Sequence, residues 1–102
     1  MAHISAILTA AGESTRMGYP KPLLLWHGLP LVKYQTSNLA NAGIDQIIVV
    51  LGHGHELVLP HISGKKVQHV LNPYHHHGKT TSIKAGLLAV NPNTTAILLI
   101  GV

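Results

Sequence analysis

Three apolar runs punctuate the chain: ISAILTAA at 4–11, QIIVVLG at 46–52 and TAILLIG at 95–101. None alternates strictly between apolar and polar residues; the first two predict strands covered on both faces, as in a parallel sheet, and the third predicts a further strand. β-branched residues in the second run fit the same state. A fourth run, KKVQHVL at 65–71, is more polar and predicts a strand nearer a sheet edge.

Between these runs the pattern changes. Residues 12–22 predict a loop, from their Gly, Ser and Pro content. His27–Gly28 predicts a turn, and Pro30 suits the first turn of a helix. Over 31–42 the apolar positions Leu31, Leu39 and Ala42, with Tyr34 between them, form a modest helical face. Gly43 ends that helix as a C-terminal cap residue. Residues 53–63 predict a short helix or turn broken near Pro60. After the loop NPYHHHGK, Thr80 or Thr81 caps a helix running to about Ala89, with Ile83, Leu87 and Val90 on one face. The order strand–helix–strand–helix–strand–helix–strand predicts an α/β, Rossmann-like fold: a parallel sheet with helices on both faces and right-handed crossovers. No repeat or low-complexity linker divides residues 1–102, which are expected to form one domain.

Composition narrows the picture. The chain has 102 residues, 46% hydrophobic and only 10% charged, which is a folded composition. It has no cysteine, so disulfides and thiolate zinc sites are excluded and the redox compartment stays open. The start, MAHISAILTA, lacks the basic segment and long apolar stretch of a secretion signal. No run approaches the roughly 18 apolar residues of a spanning helix. A cytoplasmic location is expected, with no membrane partner. Seven Lys/Arg stand against three acids, Glu13, Asp45 and Glu56, for a net charge of +4. These cations are scattered and form no basic stripe with interleaved aromatics, so nucleic acid is not an expected partner. A phosphorylated small ligand is reason enough for some of them. The scarcity of acids bears on metals, because magnesium in phosphoryl chemistry is usually held by carboxylates.

The candidate chemistry lies in AAGESTRMGYPK, residues 10–21. Parallel sheets bind ligands outside the carboxyl ends of their strands, and this segment leaves the first strand there. Ala10, Ala11 and Gly12 are small enough for a base or phosphate to approach the main chain, whose successive N–H groups can form an anion nest. Arg16 offers a rigid fork of donors and Lys21 a mobile point charge. A phosphate-binding G-x-x-x-x-G-K-[ST] loop fails on spacing, since Gly18 precedes Tyr19. The dinucleotide pattern G-x-G-x-x-G fails at Gly12-Glu13-Ser14. Plainer roles compete at several positions. Ser14 can brace the loop, Met17 can pack in the core, Gly18 can shape a turn, and Ser82 can be a first-turn helix residue. Gly86, inside a helix, is explained by close helix–sheet packing. His75, His76 and His77, and the pair His53 and His55, have metal-binding chemistry. No carboxylate or cysteine adjoins the triple, so a solvated, phosphate-facing loop is expected there.

LTAAGESTRMGYPKPLL resembles the N-terminal signature of the molybdenum-cofactor nucleotidyltransferase family, an apolar strand followed by A-G-x-S-x-R-M-G-x-x-K. Its positions here are Ala11, Gly12, Ser14, Arg16, Met17, Gly18 and Lys21. LVKYQTSNLANAGIDQIIVVLG resembles the family's first helix, turn and second strand. NPYHHHGKTTSIKAGL resembles its N-P-x-x-x-x-G-x-x-x-S-[LI]-[RK]-A-G-L segment, through Asn72, Pro73, Gly78, Ser82, Ile83, Lys84, Ala85, Gly86 and Leu87. The run Pro20-Lys21 and the tail LLIGV favour the cytidylyl branch over the guanylyl branch.

The resemblance implies transfer of a nucleotidyl group, CMP in that branch, from a nucleoside triphosphate (CTP or GTP) to molybdopterin, with release of pyrophosphate. It implies catalytic roles for Arg16 and Lys21. It implies nucleotide contacts at Ala10, Ala11, Gly12, Glu13, Ser14, Arg16, Lys21 and Ser82. Sugar-phosphate nucleotidyltransferases share the core of the motif and are the neighbouring alternative. In the resembled family an aspartate at the end of the fourth strand holds magnesium. Here the sequence reaches Gly101–Val102, so no metal ligand is predicted. The expectation is therefore the N-terminal, nucleotide-binding half of a transferase domain, truncated after the fourth strand. It is open to three readings: a fragment, a non-catalytic nucleotide-binding module, or a chain completed by a partner. An uncovered fourth strand predicts self-association.

Overall fold

A computed structural model describes residues 2–11, 21–74 and 77–102. In chain order its elements are β1 (Ile4–Ala10), a 3-10 turn at Lys21–Leu23, β2 (Leu25–Trp26), β3 (Leu29–Pro30), α1 (Leu31–Asn41), β4 (Gln46–Leu51), α2 (His55–Val58), a 3-10 turn at Leu59–His61, β5 (Val67–Leu71), α3 (Lys79–Leu88) and β6 (Ala96–Gly101). Four strands form one sheet in the order β5-β4-β1-β6, and every pair in it is parallel. The predicted α/β architecture is the one observed. So is the edge position of the more polar run at 65–71, which is β5.

Strand period two divides the core between the two faces of the sheet. Ala6, Leu8, Ala10, Ile47, Val49 and Leu51 face one way and pack with Val32 of α1, Val58 of α2 and Leu23. Ile7, Ile48 and Val50 face the other way and meet Ala85 and Ala89 of α3. β1 and β4 are thus buried on both sides, which is why their sequences show no alternation.

β2 and β3 form a two-residue hairpin whose turn residues, His27 and Gly28, both have positive φ (51° and 79°). This is the twist that two-residue hairpins favour. Pro30 then sits at the N-cap of α1 rather than inside its first turn, and Gly43 (φ 86°) closes the helix with its N–H on the Ala40 carbonyl at 3.1 Å. The inward stripe of α1 runs through Val32, Thr36 and Leu39. It does not follow the expected Leu31, Tyr34 and Ala42. A buried Thr36 reads as polar in the sequence, but its hydroxyl is satisfied by donating to the Lys33 carbonyl at 3.2 Å.

α3 differs from its prediction in two ways. It begins at Lys79, with Gly78 (φ 111°) at the N-cap and no side-chain cap. Thr81, expected as a cap, lies inside the first turn, where its hydroxyl reaches back to the Gly78 carbonyl at 2.7 Å. Its buried face is also only partly the expected one of Ile83, Leu87 and Val90, of which Val90 packs on the core. Ser82 and Gly86 are buried, with Ala85, Ala89 and Val90 packed beside them, while Leu87 is 46% exposed. Small residues carry this contact because the helix lies very close to the sheet. A Cβ on Gly86 would come within 2.5 Å of Ile7 Cγ2 and 3.2 Å of Val50 Cγ2. The sequence expectation for Gly86 is met.

The two ends of the sheet are unlike. At the amino end a polar lattice ties the strands down. Asp45 Oδ2 accepts from the Ile4 N–H at 2.8 Å. Gln46 Oε1 accepts from the Ser5 hydroxyl at 2.8 Å and from the Asn91 N–H at 2.9 Å. Gln46 Nε2 donates to the Ala89 carbonyl at 2.9 Å. The carboxyl end carries the loops and α-helix starts.

Candidate functional site

The chain runs from β1 outward to β4 and β5, then returns to the other side of β1 with β6. The order therefore reverses between β1 and β6, and open parallel sheets bind ligands in the crevice beyond such a point. β1 delivers Ala10 and Ala11 to it. Both are buried, Ala10 in one face of the core and Ala11 in the other. Their side chains are thus committed to packing, and only their main chain can meet a ligand. Thr9 pairs with Gly101 across the junction. The Thr9 hydroxyl donates to the Ile100 carbonyl at 3.3 Å, and the Val102 N–H donates to the Thr9 carbonyl at 3.1 Å.

Of the residues expected to hold a nucleotide, Gly12, Glu13, Ser14 and Arg16 lie outside the described residues, as do Met17 and Gly18. Lys21 is described and exposed. It opens a 3-10 turn whose next two residues, Pro22 and Leu23, are buried. The Leu24 N–H donates to the Lys21 carbonyl at 3.0 Å, closing that turn. The returning end of the 10–21 segment is therefore anchored in the core beside its cation.

Ser82 sits in the second turn's approach to the sheet, 4% exposed. Its hydroxyl accepts from Asn72 Nδ2 at 2.9 Å, and the same amide nitrogen donates to Thr81 Oγ1 at 2.9 Å. Asn72 Oδ1 accepts from the Tyr74 N–H at 3.0 Å. Asn72 follows β5 directly, so it pins the first turn of α3 to the carboxyl end of the sheet. Sequence reading quoted Asn72 within a motif and gave it no role of its own. Its signal is a polar residue directly after a strand and ten residues before a serine it can reach.

Lys79 was also missed, because the helix was expected to start at Thr80 or Thr81. Its Nζ lies 3.4 Å from where a Cβ on Gly101 would stand, and Thr9 Oγ1 lies 3.7 Å from the same point. The lysine therefore reaches the β1–β6 junction. A hollow of about 250 Å³ lies further along the same end, lined by Gly52, His55, Leu71, Asn72 and Pro73. A larger hollow of about 440 Å³, between α1 and the segment before β5, includes Lys65 and Lys66. It lies toward the amino end, away from the strand ends where this fold class places ligands.

Metal chemistry finds no support among the described side chains. No group of three His, Asp or Glu residues there could hold an ion. Asp45 is engaged at the amino end of the sheet, and Glu56 pairs on the surface with His55 at 3.3 Å. The described residues do not fit a divalent cation at the β1–β6 junction, so no step is routed through one. His75 and His76 lie outside the described residues, and His77 is exposed beside Tyr74. Among the described residues no helix is long and apolar enough to cross a membrane.

Comparison with known proteins agrees with this geometry. The family model described as the MobA-like NTP transferase domain matches residues 6–102. The bifunctional protein GlmU of Syntrophomonas wolfei is 33% identical over 100 residues, 96% of this chain and 22% of its own length. Among solved structures, Rv0371c from Mycobacterium tuberculosis superposes with a TM-score of 0.80 at 31% identity, over 98% of this chain and 51% of its own. A nucleotidyl transferase from Methanothermobacter thermautotrophicus gives 0.82 at 28%, over 97% and 50%. The chain thus spans about half the length of these solved structures and about a fifth of the curated relative.

Proposed function

The chain belongs to the MobA-like NTP transferase domain family, and from that premise we propose that it is the nucleotide-binding half of a nucleotidyltransferase. In the reaction an acceptor phosphate oxygen attacks the α-phosphorus of a nucleoside triphosphate. A new P–O bond forms, the α–β P–O bond breaks, and pyrophosphate leaves. The observation that carries this reading is where the two described ends of the 10–21 segment lie. Ala10 and Ala11 end β1 at the point of strand reversal, and Lys21 opens a turn anchored by buried Pro22 and Leu23. Arg16 and Lys21 are the groups that would stabilise charge on the phosphoryl oxygens. Main-chain N–H groups from Ala10 to Ser14 would receive the triphosphate and base. Ser82 would act through Asn72, holding the first turn of α3 in place.

The finer reading is a cytidylyl transfer from CTP to molybdopterin, supported by the signature at Ala11, Gly12, Ser14, Arg16, Met17, Gly18 and Lys21. A second reading puts a sugar phosphate in the acceptor's place, and the likeness to the bifunctional GlmU favours it. A divalent metal belongs with either reaction in the whole enzyme.

Calorimetric titration of the chain with CTP and GTP, with and without magnesium, tests the proposal. Saturable binding of CTP is expected, weakened about tenfold or more in Lys21→Ala, since loss of one charge-assisted phosphate contact is worth about 1.5–3 kcal/mol. No binding of either nucleotide to a folded chain overturns it. Tighter binding of GTP than CTP overturns the cytidylyl reading alone.

A further inference from the structure

We infer that Lys79 is a phosphate-binding residue of this site, whose ammonium takes the polyphosphate of the nucleotide at the β1–β6 junction. The inference rests on the nucleotide reading proposed above and names a contact that the 10–21 signature does not contain.

Three observations carry it. The first is place. Lys79 is the first residue of α3, and it is exposed. It folds back so that Nζ stands over the last residues of β1 and β6, near Thr9 Oγ1 and the bare backbone of Gly101.

The second is the lack of that interaction within the protein. Among the described residues Lys79 has no hydrogen-bond or ion-pair partner. The described carboxylates are engaged elsewhere, Asp45 at the amino end of the sheet and Glu56 beside His55. Among the described residues the three donors of this ammonium are left unpaired at the crevice, and an anionic ligand is a group that satisfies them.

The third is the surface on which it stands. Gly101 puts no side chain between the ammonium and the strand ends, and α3 begins beside it without a side-chain cap. A phosphate there would meet the Lys79 charge and an approachable main chain together. A point charge on a flexible stem suits phosphate oxygens that shift during transfer.

The test is titration of the wild-type chain, Lys79→Ala, Lys79→Met and Lys79→Arg with CTP, cytidine and inorganic pyrophosphate, each variant's melting curve recorded alongside. Lys79→Met keeps the apolar stem and removes the charge. Loss of about tenfold or more in affinity for CTP and pyrophosphate in the Ala and Met variants, with cytidine binding unchanged and Lys79→Arg within about threefold of wild type, is the expected result. CTP affinity within twofold of wild type in a folded Lys79→Met chain overturns the inference and leaves the nucleotide reading standing. If wild type binds pyrophosphate through Lys79 but not CTP, the nucleotide reading falls and the phosphate site remains. Binding of none of the three probes overturns both.

Discussion

Gly86 and Asn72 set how closely α3 can approach the sheet and how firmly its first turn is held. At Gly86 the helix penalty of glycine, about 1 kcal/mol against alanine, is outweighed by contact, since a Cβ would press on the stiff, branched side chain of Ile7. Gly86→Ala gains the propensity term and incurs overpacking, typically about 1–3 kcal/mol. A net loss near 1 kcal/mol is expected, seen as a melting temperature lower by roughly 4–8 °C. An unchanged or higher value would mean that α3 can shift outward freely. Asn72 is 3% exposed and serves three partners, so Asn72→Ala leaves buried Ser82 without its donor and the Tyr74 N–H without its acceptor. Destabilisation of about 1–3 kcal/mol is expected. Because α3 carries Lys79, weaker CTP binding should accompany the loss. A destabilised variant with wild-type affinity would separate the two roles. Neither effect is visible from periodicity. Gly86 betrays itself only as a glycine where a helix former belongs, and Asn72 only as a polar residue after a strand.

Among elements, β6 is the least protected. Ile97, Leu98 and Leu99 are 47%, 43% and 50% exposed, and consecutive strand residues point to opposite faces. Both faces of β6 are therefore open, and its outer edge pairs with nothing in the sheet order β5-β4-β1-β6. The strand sequence AILLIG has none of the charges or prolines that blunt an edge. The chain is expected to self-associate in a concentration-dependent way, measured by sedimentation velocity across a dilution series. Leu98→Lys should shift it toward monomer. A wild-type chain that stays monomeric and unfolds cooperatively at every concentration would refute this. The existence of each sheet strand was legible from its apolar run, most clearly for β1 and β4, whose burial on both faces leaves a run that needs no partner to be recognised. Helix faces were less legible. The inward sides of α1 and α3 are built on Thr36, Ser82, Ala85 and Gly86, and such residues carry little hydrophobic signal with which to fix the phase.

For the molecule as a whole, the sequence by itself determined the alternation of strands and helices, hence a parallel α/β sheet, and it marked 10–21 as the candidate ligand segment after β1. Local signals suffice there, because strand runs, glycine punctuation and an Arg and a Lys within one short loop are properties of nearby residues. Tertiary structure alone decided the strand order β5-β4-β1-β6, and so the place where the order reverses. It also decided that Asp45 secures the amino end of the sheet, far along the strands from the crevice, and that Asn72 joins Ser82. The approach of Lys79 to Thr9 and Gly101 belongs in the same class. The physical reason is one of distance along the chain. Residues 9, 79 and 101 meet only because three successive crossovers carry the chain out to β5 and back to β6 beside β1, and no local pattern encodes which strands become neighbours.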